Sequence, residues 1–454
     1  MKTGKVSMMV TTVILIMTWA PFTFGAVSPE EAAKLGTTLT RFGAEMVGNK
    51  DGTITPYTGG LTKPPSGFKP GSGVRPDPFA AEKPSFSINA QNMAQYADKL
   101  TEGTKALMKK YPTFRIDIYK THRTVAYPEY VLKNTATNAI RAKTANDGLS
   151  VRDAHAGIPF PIPKDGHEVM WNHLMRYQGR SLESRTTTDL IDASGRLIPA
   201  AGTLMWQEFP YYDEDPSHPQ AHIFWKDRWH FDRPTRKMGE AGQLEDPVNM
   251  YEKGRVCYQY LPGQRRVKLA PEIGFDTPSV DACGIGTFDE EWLFNGSQER
   301  YKFKLIGKKE IYVPYNTYKA TYQVKRIELA GPKHINPDLI RWELHRMWVV
   351  EGTLRPGKRH IYPKRVLYVD EDSWCASAQE TYDASGQMFK ADYNYQAPSY
   401  DMPAPNAMFW NQYHFPSSAY SISFWPGEGG YIRMVPVRPD RDWAPASLAG
   451  RGLR

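Results

Sequence analysis

Cysteine is scarce in this chain of 454 residues, which has three: Cys257, Cys283 and Cys375. An odd number allows at most one intramolecular disulfide, and the sequence does not choose among the three pairings. The spacing of the three also excludes a metal site of the Cys-x-x-Cys type. At most one cross-link, and no cysteine-bound metal of this type, is therefore expected.

Long apolar runs are missing after residue 25, where no stretch approaches the length of about 18 residues that a membrane span needs. The first 25 residues place Lys2 and Lys5 before an apolar run from Met8 to Trp19 and a small-residue exit at 23–26. This order is typical of a secretory signal peptide, and we predict cleavage near Gly25. The alternative is an uncleaved N-terminal anchor. We expect the mature protein to be soluble and periplasmic.

Neither disorder nor a polytopic membrane protein fits the composition, with 23% charged and 41% hydrophobic residues. Tyrosine and tryptophan supply 38 of the 57 aromatic residues, and such rings suit sheet faces and wet cavities. With 36 glycines and 36 prolines, long helical arrays are not expected. The composition predicts a soluble, β-rich globular protein.

Acidic residues are in the minority, which gives a formal charge of +8, or +6 once Lys2 and Lys5 are removed with the signal. A positive charge favours anionic neighbours such as lipid headgroups. The sequence has no basic tail or recognisable nucleic-acid-binding module, so we do not expect nucleic acid as a partner.

Regular structure is not expected in residues 51–84, which hold seven prolines and six glycines in 34 positions. This stretch predicts an extended strap or linker. We divide the chain into a signal peptide at 1–25, a Pro/Gly-rich strap at 26–88, an antiparallel half-barrel domain with helical cover at 89–395, and an irregular C-terminal extension at 396–454.

Two helices are predicted by periodicity and capping signals. The clearer one runs from Asn89, a candidate cap, to Lys110, and Pro112 stops it. A second, short helix is expected at 167–177, opened by Asp165 and Gly166.

Most of the remaining chain alternates between apolar and polar residues, as at 114–118, 301–305 and 318–325. This period indicates antiparallel strands with one buried face. The sequence Asp-Ala-Ser-Gly occurs at 192–195 and 383–386, and we interpret both copies as hairpin turns. We therefore predict an α+β fold with a large curved antiparallel β-sheet, a half-open barrel, wrapped around covering helices.

Catalytic motifs are missing as well. The sequence has no Gly-x-Ser-x-Gly elbow and no phosphate-binding glycine loop, and His167 and His173 lack the spacing of a zinc-protease helix. The paired acids at 289–291 and 370–372 are interpreted as solvated strand ends. We predict no catalytic residue, no cofactor and no metal.

A cluster in the loop YYDEDPSHPQAH is open to two interpretations. It contains Asp213, Asp215, His218 and His222, which offer ligands for a divalent metal. A proline-interrupted acidic loop is the alternative, and it is the one we favour.

One strand suggests a ligand-binding face. Its alternate residues are apolar except for one guanidinium, and they are Trp342, Leu344, Arg346, Trp348 and Val350. A buried charge must be paired, so Arg346 either meets an acid inside the sheet or binds the anionic head of an external amphiphile.

Several segments carry a family resemblance. The strand–turn–strand at 258–267 and Gly286-Thr-Phe-Asp-Glu-Glu291 resemble outer-membrane lipoprotein-sorting-type proteins. The stretches at 26–45, 157–179, 304–318 and 342–374 are similar to the proteobacterial domain-of-unknown-function family 1329, and the chain is identified as a member. The resemblance implies a half-open antiparallel barrel, closed by helices, that carries acyl chains. It also implies a link to inner-membrane efflux-type transporters and an outer-membrane partner.

The leading hypothesis is a non-enzymatic periplasmic carrier of lipids or other hydrophobic cargo between the two membranes. Its expected basic rim is Lys358, Arg359, Lys364 and Arg365. A solvated strand edge that discourages aggregation is the alternative for this stretch, and it is the one we favour. The alternatives are a structural or assembly adaptor of an envelope transporter and a hydrolase with an unrecognised site. A cavity lined by Trp, Leu and Met favours the carrier, whereas a perturbed His–acid pair inside it favours the enzyme.

Overall fold

The computed structural model describes residues 26–279 and 282–451. The predicted signal peptide lies outside these residues. Within them, no helix combines the length and the apolar character that crossing a bilayer requires.

Eighteen strands dominate the described chain. They are β1 Phe86–Ile88, β2 Ile116–Ile118, β3 Lys143–Ala145, β4 Ser150–Arg152, β5 Ser181–Ile191, β6 Leu197–Glu208, β7 Ile223–Arg233, β8 Ala241–Pro247, β9 Val256–Leu261, β10 Arg266–Leu269, β11 Tyr301–Pro314, β12 Trp342–Leu354, β13 Lys364–Asp370, β14 Ala376–Tyr382, β15 Met388–Gln396, β16 Ala407–His414, β17 Ala419–Trp425 and β18 Tyr431–Met434.

The helices are few and short. They are α1 Pro29–Ala32, α2 Glu102–Lys110, α3 Glu129–Arg141, α4 Gly166–Leu174, α5 Tyr318–Tyr322, α6 Arg326–Leu329 and α7 Ser447–Arg451. Two 3-10 segments matter below, Met93–Lys99 and Phe288–Leu293.

Sixteen of the strands form one sheet, while β3 and β4 pair separately. Its path runs β12–β13–β14–β15–β16–β17–β5–β6–β7–β8–β9–β10, with β11 on the free side of β12 and β18 beside β5. Every pairing is antiparallel except one short contact between β2 and β12. Among the described residues β10 pairs with β9 alone and β11 with β12 alone, so the sheet is open. The predicted α+β class and large, half-open antiparallel sheet are confirmed.

Helices cover the sheet on both faces. Helix α2 lies on the face of β14–β15 that carries Tyr393, whose hydroxyl is 2.7 Å from Thr104 Oγ1. The 3-10 segment Phe288–Leu293 lies on the opposite face, where Asn394 Nδ2 donates to Trp292 O at 3.0 Å. Adjacent residues of a strand point to opposite faces, which places the two covers on opposite sides.

Helix α4 is buried along its whole length. It begins where predicted, with the Asp165 side chain accepting from Glu168 N, but it ends at Leu174 rather than 177. Its first residue, Gly166, lies so close to β11 that an added Cβ would come within 2.6 Å of the Phe303 carbonyl.

The helix predicted from Asn89 is divided. Residues Met93–Lys99 form a 3-10 segment, and α2 begins afresh after Thr101, whose side chain accepts from Thr104 N. Thr101 therefore takes the capping role expected of Asn89. The end at Lys110 is as predicted.

Two further expectations are wrong. The alternating segment after Tyr318 forms helix α5 instead of a strand, because Tyr318 and Thr321 are both buried and Thr321 bonds back to the Thr317 carbonyl. Residues 396–454 are not irregular, since β16 and β17 lie inside the main sheet. The division of the chain into domains otherwise stays a prediction.

Candidate functional site

A cavity lies against one face of strands β5–β8, β16 and β17. It encloses about 610 Å³, including its open mouth. Its apolar wall consists of Met205, Trp229, Leu244, Phe288, Trp410 and Phe424. Ligand pockets are mostly apolar, with a few polar groups that orient the ligand. The side chains that line this cavity are of that kind.

Strand alternation explains the apolar wall. Met205 on β6 stands opposite Trp229 on β7, which in turn stands opposite Gly242 on β8. An added Cβ at Gly242 would lie 2.0 Å from Trp229 Cζ2, so glycine at this position lets the indole lie flat on the sheet. This small residue shapes one side of the cavity.

The cavity is closed on its other side by residues 282–293, which we call the cover segment. Gly286 passes so close to β16 that an added Cβ would lie 2.5 Å from Gln412 Oε1. The Trp292 ring lies 4.8 Å from that of Trp410. Lys390 on β15 forms an ion pair with Glu290 and anchors the segment from below.

The electrostatics of the cavity are one-sided. Its lining includes three carboxylates, those of Asp227, Glu290 and Glu291, and among the described residues that line it there is no lysine, arginine or histidine. Lys390 neutralises Glu290 from behind the wall. Acidic side chains therefore outnumber basic ones in the described lining.

A second hollow of about 330 Å³ continues along the same face. It shares Met205 and Phe424 with the first cavity. The hydroxyls of Ser184 and Thr186 in the hollow, and Gln412 Nε2 in the cavity, are buried without a hydrogen-bond partner in the described structure. Buried polar groups are normally satisfied by protein, water or ligand, so the two spaces carry unused hydrogen-bonding capacity.

The predicted binding face on β12 lies elsewhere. Its residues are not among those that line the cavity or the hollow. The Trp342 ring packs 5.3 Å from that of Tyr393, and Trp348 stacks on Trp374 at 6.3 Å. Leu344 and Val350 are buried in the core.

Arg346 has protein partners of its own. Its Nη1 donates to Val47 O at 3.0 Å and to Glu371 Oε1 at 3.3 Å, and its Nε lies 3.5 Å from Glu45 Oε2. This is the internal pairing considered as one of two alternatives from the sequence. The ligand-binding role of Arg346 and its face stays a prediction.

The predicted basic rim is divided between surface and core. Arg359 is exposed, whereas Lys358 pairs with Glu299 and Lys364 with Glu351.

Arg365 is not a rim residue, because its side chain has no exposed surface. Its Nη2 donates to Asp289 Oδ2 at 2.6 Å, and its guanidinium lies 4.8 Å from the Tyr301 ring centroid. Burial alone would raise the pKa of Asp289, but Arg365 and a hydrogen bond from His360 hold it below the usual range. The alternative interpretation, a solvated strand edge, is also wrong for Arg365, because the cover segment lies on this residue.

The paired acids are buried rather than solvated. Asp289, Glu290, Asp370, Glu371 and Asp372 are all less than 5% exposed. Their cations come from distant parts of the chain, as with Arg123, whose Nη2 lies 2.6 Å from Asp372 Oδ1. Sequence proximity gives no signal for such pairs.

The acidic loop after β6 does not gather metal ligands. Asp213 pairs with Arg180 at 2.5 Å, and Asp215 accepts from Ser217 N and Oγ. The one group of three or more potential ligands found in the described structure lies at β12–β13. All three cysteines fall in the described part, where none of them forms a disulfide, and Cys283 is exposed.

Comparison with known proteins agrees with the resemblance noted in the sequence. Residues 87–449 match the model of a family described as protein of unknown function, DUF1329. The chain belongs to the DUF1329 family. A relative is an uncharacterised protein of Pseudomonas aeruginosa, 37% identical over 460 residues, which cover 100% of both chains.

Solved structures show more distant similarity to this DUF1329 protein. A DUF1329 protein from Desulfovibrio piger is 12% identical with a TM-score of 0.40, over 59% of this chain and 91% of its own. A putative outer-membrane lipoprotein-sorting protein domain from Vibrio parahaemolyticus is 14% identical with a TM-score of 0.42, over 62% of this chain and 97% of its own.

Proposed function

We propose that this DUF1329 protein is a non-enzymatic carrier that binds a hydrophobic ligand in the cavity between the sheet and the cover segment. The cavity with its wall of Trp, Leu, Met and Phe side chains is the observation that carries the proposal. Trp229, Phe288 and Phe424 are only partly buried, so the space reaches the surface at its mouth. A ligand can therefore enter without unfolding of the sheet.

The lining argues against a hydrolytic site. General acid–base chemistry most often uses histidine, and the described lining of the cavity includes none. Its acids are held by other groups, as Glu290 is by Lys390 and Thr287. Binding without chemistry is the function that this set of side chains supports.

The charges of the lining narrow the ligand class. Three carboxylates and no cation in the described lining disfavour an anionic head, whereas the rings of Trp229 and Trp410 favour neutral or cationic groups. We propose a neutral or cationic amphiphile, whose polar end satisfies groups such as Gln412 Nε2. The site of action that we propose for this carrier is the periplasm, which is the location predicted from the N-terminal sequence.

Filling the cavity tests the proposal. Thr203 lines the cavity from β6, and its neighbour Leu204 points to the other face of the strand. In Thr203→Phe we expect binding of the neutral dye Nile red to weaken about tenfold or more, because the new ring occupies the ligand space. Leu204→Phe is the matched control and should bind as the parent does.

Two further measurements test the charge of the ligand and its presence in the purified protein. Dodecyltrimethylammonium should displace the dye at lower concentration than dodecyl sulfate does. Native mass spectrometry of protein released from the periplasm should show a bound lipid in the parent and not in Thr203→Phe. Equal dye binding in the parent and both variants would refute the cavity as the binding site.

A further inference from the structure

A second cluster of side chains lies apart from the cavity, where β12 meets the turn after β13. His345, Asp370 and Asp372 each contribute one ligand atom to a group whose members all lie within 4.8 Å of one another. All three are at most 1% exposed. His345 Nδ1 and Asp370 Oδ1 face each other at 4.0 Å.

The histidine is oriented by a carboxylate. Its Nε2 lies 3.1 Å from Glu343 Oε2, and its ring stacks on Tyr315 with 3.7 Å between centroids. Glu343 also accepts from Asn316 Nδ2 at 3.0 Å and from Arg341. With Nε2–H donating to that carboxylate, Nδ1, which lies 4.0 Å from Asp370 Oδ1, is the ring nitrogen left for a metal ion. Metal-binding histidines are usually held by such a carboxylate.

The two aspartates are held in the same manner. Asp370 Oδ2 accepts from Tyr315 Oη at 3.0 Å and from Ser373 N at 2.9 Å. Asp370 Oδ1, fully buried, has no hydrogen-bond partner in the described structure. Asp372 accepts from Arg123 at 2.9 and 2.6 Å, and each carboxylate oxygen keeps a further lone pair.

Charge is not balanced at this point of the core. Among the described residues, no lysine or arginine nitrogen lies within 4.0 Å of the Asp370 carboxylate. The neighbouring Glu371 has its own cations, with Lys308 Nζ at 2.6 Å and Arg346 Nη1 at 3.3 Å. A carboxylate in a dry interior either takes up a proton or acquires a compensating positive charge.

We propose that His345, Asp370 and Asp372 form a binding site for one Zn²⁺ ion. One imidazole and two carboxylates are ligands that zinc accepts, whereas calcium and magnesium prefer oxygen alone. The ion supplies the positive charge that Asp370 lacks, and three protein ligands leave a fourth position open. It would join β12 to the turn after β13, independently of the carrier function proposed above.

Metal content tests this site. The protein is unfolded in urea that contains EDTA, which removes any bound metal. It is then refolded with or without ZnCl₂ and separated from unbound metal. We expect one zinc per chain by mass spectrometry and a higher melting temperature than the metal-free sample shows. Co²⁺ in place of zinc should give the visible absorption of a low-coordinate site with nitrogen and oxygen ligands. Both measurements need only the parent protein.

Near-isosteric variants locate the ion. His345→Gln and Asp370→Asn should bind zinc about tenfold or more weakly, the loss typical of a disturbed metal site. His218→Gln is the matched control, because it removes a histidine from the other acidic loop, and it should retain one zinc. No stoichiometric zinc in the refolded parent, or full zinc in both ligand variants, would overturn the proposal.

Discussion

Asp392 on β15 shows what burial does to one ionisable residue. Its Oδ2 accepts from Gln379 Nε2 at 3.1 Å, while its Oδ1 is buried without a partner in the described structure. Burial raises the pKa of Asp392 to about 7, although Lys390 opposes the rise. Since the unfolded value is about 4, the folded protein holds this proton more tightly than the unfolded chain does.

The sign of the pH dependence follows from that difference. A raised carboxyl pKa gives stability that is fully present below about pH 4 and is lost as pH rises towards 7. Asp392→Asn keeps the shape and removes the titration. The parent loses this stability between pH 5 and pH 8, and the variant does not. The free energy of unfolding of Asp392→Asn minus that of the parent should therefore be about 2–3 kcal/mol higher at pH 8 than at pH 5. Urea unfolding at the two pH values measures this change.

Asp383 provides a control of opposite sign. It lies in an exposed turn, where hydrogen bonds from Ser385 and the Gln387 amide lower its pKa. Its contribution to stability is therefore present above about pH 4 and constant between pH 5 and pH 8. Asp383→Asn should lower stability equally at both pH values. If Asp392→Asn also changed stability by the same amount at both pH values, burial would not be raising the pKa of Asp392.

Single residues also show where sequence reasoning ends. The pattern of β12 indicated that Arg346 needs an anion, and the structure provides Glu371 and Glu45. The same reasoning did not reach Arg365, because its partner Asp289 belongs to the cover segment 76 residues away. Alternation reports which residues share a face, but it does not report what lies on that face.

At the scale of elements, the two Asp-Ala-Ser-Gly turns adopt one structure. In each, the aspartate Oδ1 accepts from the backbone N and the hydroxyl of the serine two residues later. One turn joins β5 to β6 and the other joins β14 to β15. The interpretation as hairpin turns is confirmed, and local chemistry was sufficient for it because both partners lie within four residues.

Helix α5 shows the reverse case. Its sequence alternates as a strand does, yet the Tyr318 hydroxyl donates to Pro398 O at 2.6 Å and the helix is buried against the chain after β15. That contact lies 80 residues away along the chain. An apolar–polar alternation over only eight residues does not decide between strand and helix when such a distant contact favours the helix.

Helix α4 packs closely on β11 at Gly166, and this contact can be tested by substitution. Gly166 has ordinary helical geometry, but an added Cβ would lie 2.6 Å from Phe303 backbone atoms on a neighbouring strand. Neither backbone can yield easily, so Gly166→Ala should cost about 1–3 kcal/mol of folding stability by separating helix and strand. The shift of the urea midpoint at constant slope measures it.

Gly254 is the matched control, because an added Cβ there meets nothing within 4 Å and its φ is not left-handed. Gly254→Ala should change stability by about 0.5 kcal/mol or less, or increase it slightly. If the two variants have the same urea midpoint, the packing of α4 does not depend on the close contact between Gly166 and Phe303.

For the whole molecule, the sequence predicted the sheet and its need for a cover but not the location of the cavity. Trp229 lines it from β7 and Trp410 from β16, and the two residues are about 180 positions apart in the sequence. They meet because β17 pairs with β5, a connection that no local pattern reveals. The prediction of an irregular extension at 396–454 missed β16 and β17, which lie between β15 and β5 and join the two halves of the sheet.

Residues 26–88, the predicted strap, contact several elements of the fold, and Arg75 is their most deeply buried charged residue. The Arg75 side chain has no exposed surface and donates from Nε to Asp401 Oδ1 at 2.6 Å. Its Nη1 donates to Tyr322 Oη at 3.1 Å and to Ile432 O at 3.0 Å. One guanidinium therefore joins the strap to the β15–β16 connection, to α5 and to β18.

Removing this link should release the strap and weaken the whole fold. Arg75→Met keeps the volume but leaves buried acceptors without their donor, so we expect a loss of about 3 kcal/mol in the free energy of unfolding. Arg41→Met is the control within the same strap. Arg41 pairs with Glu129 at 2.7 Å, but the two side chains are 42% and 75% exposed, so its loss should cost about 1 kcal/mol or less.

Limited proteolysis under native conditions should then cut the strap of Arg75→Met much faster than that of Arg41→Met. Equal cleavage of the two variants would mean that other contacts hold the strap and that Arg75 stabilises only its own surroundings.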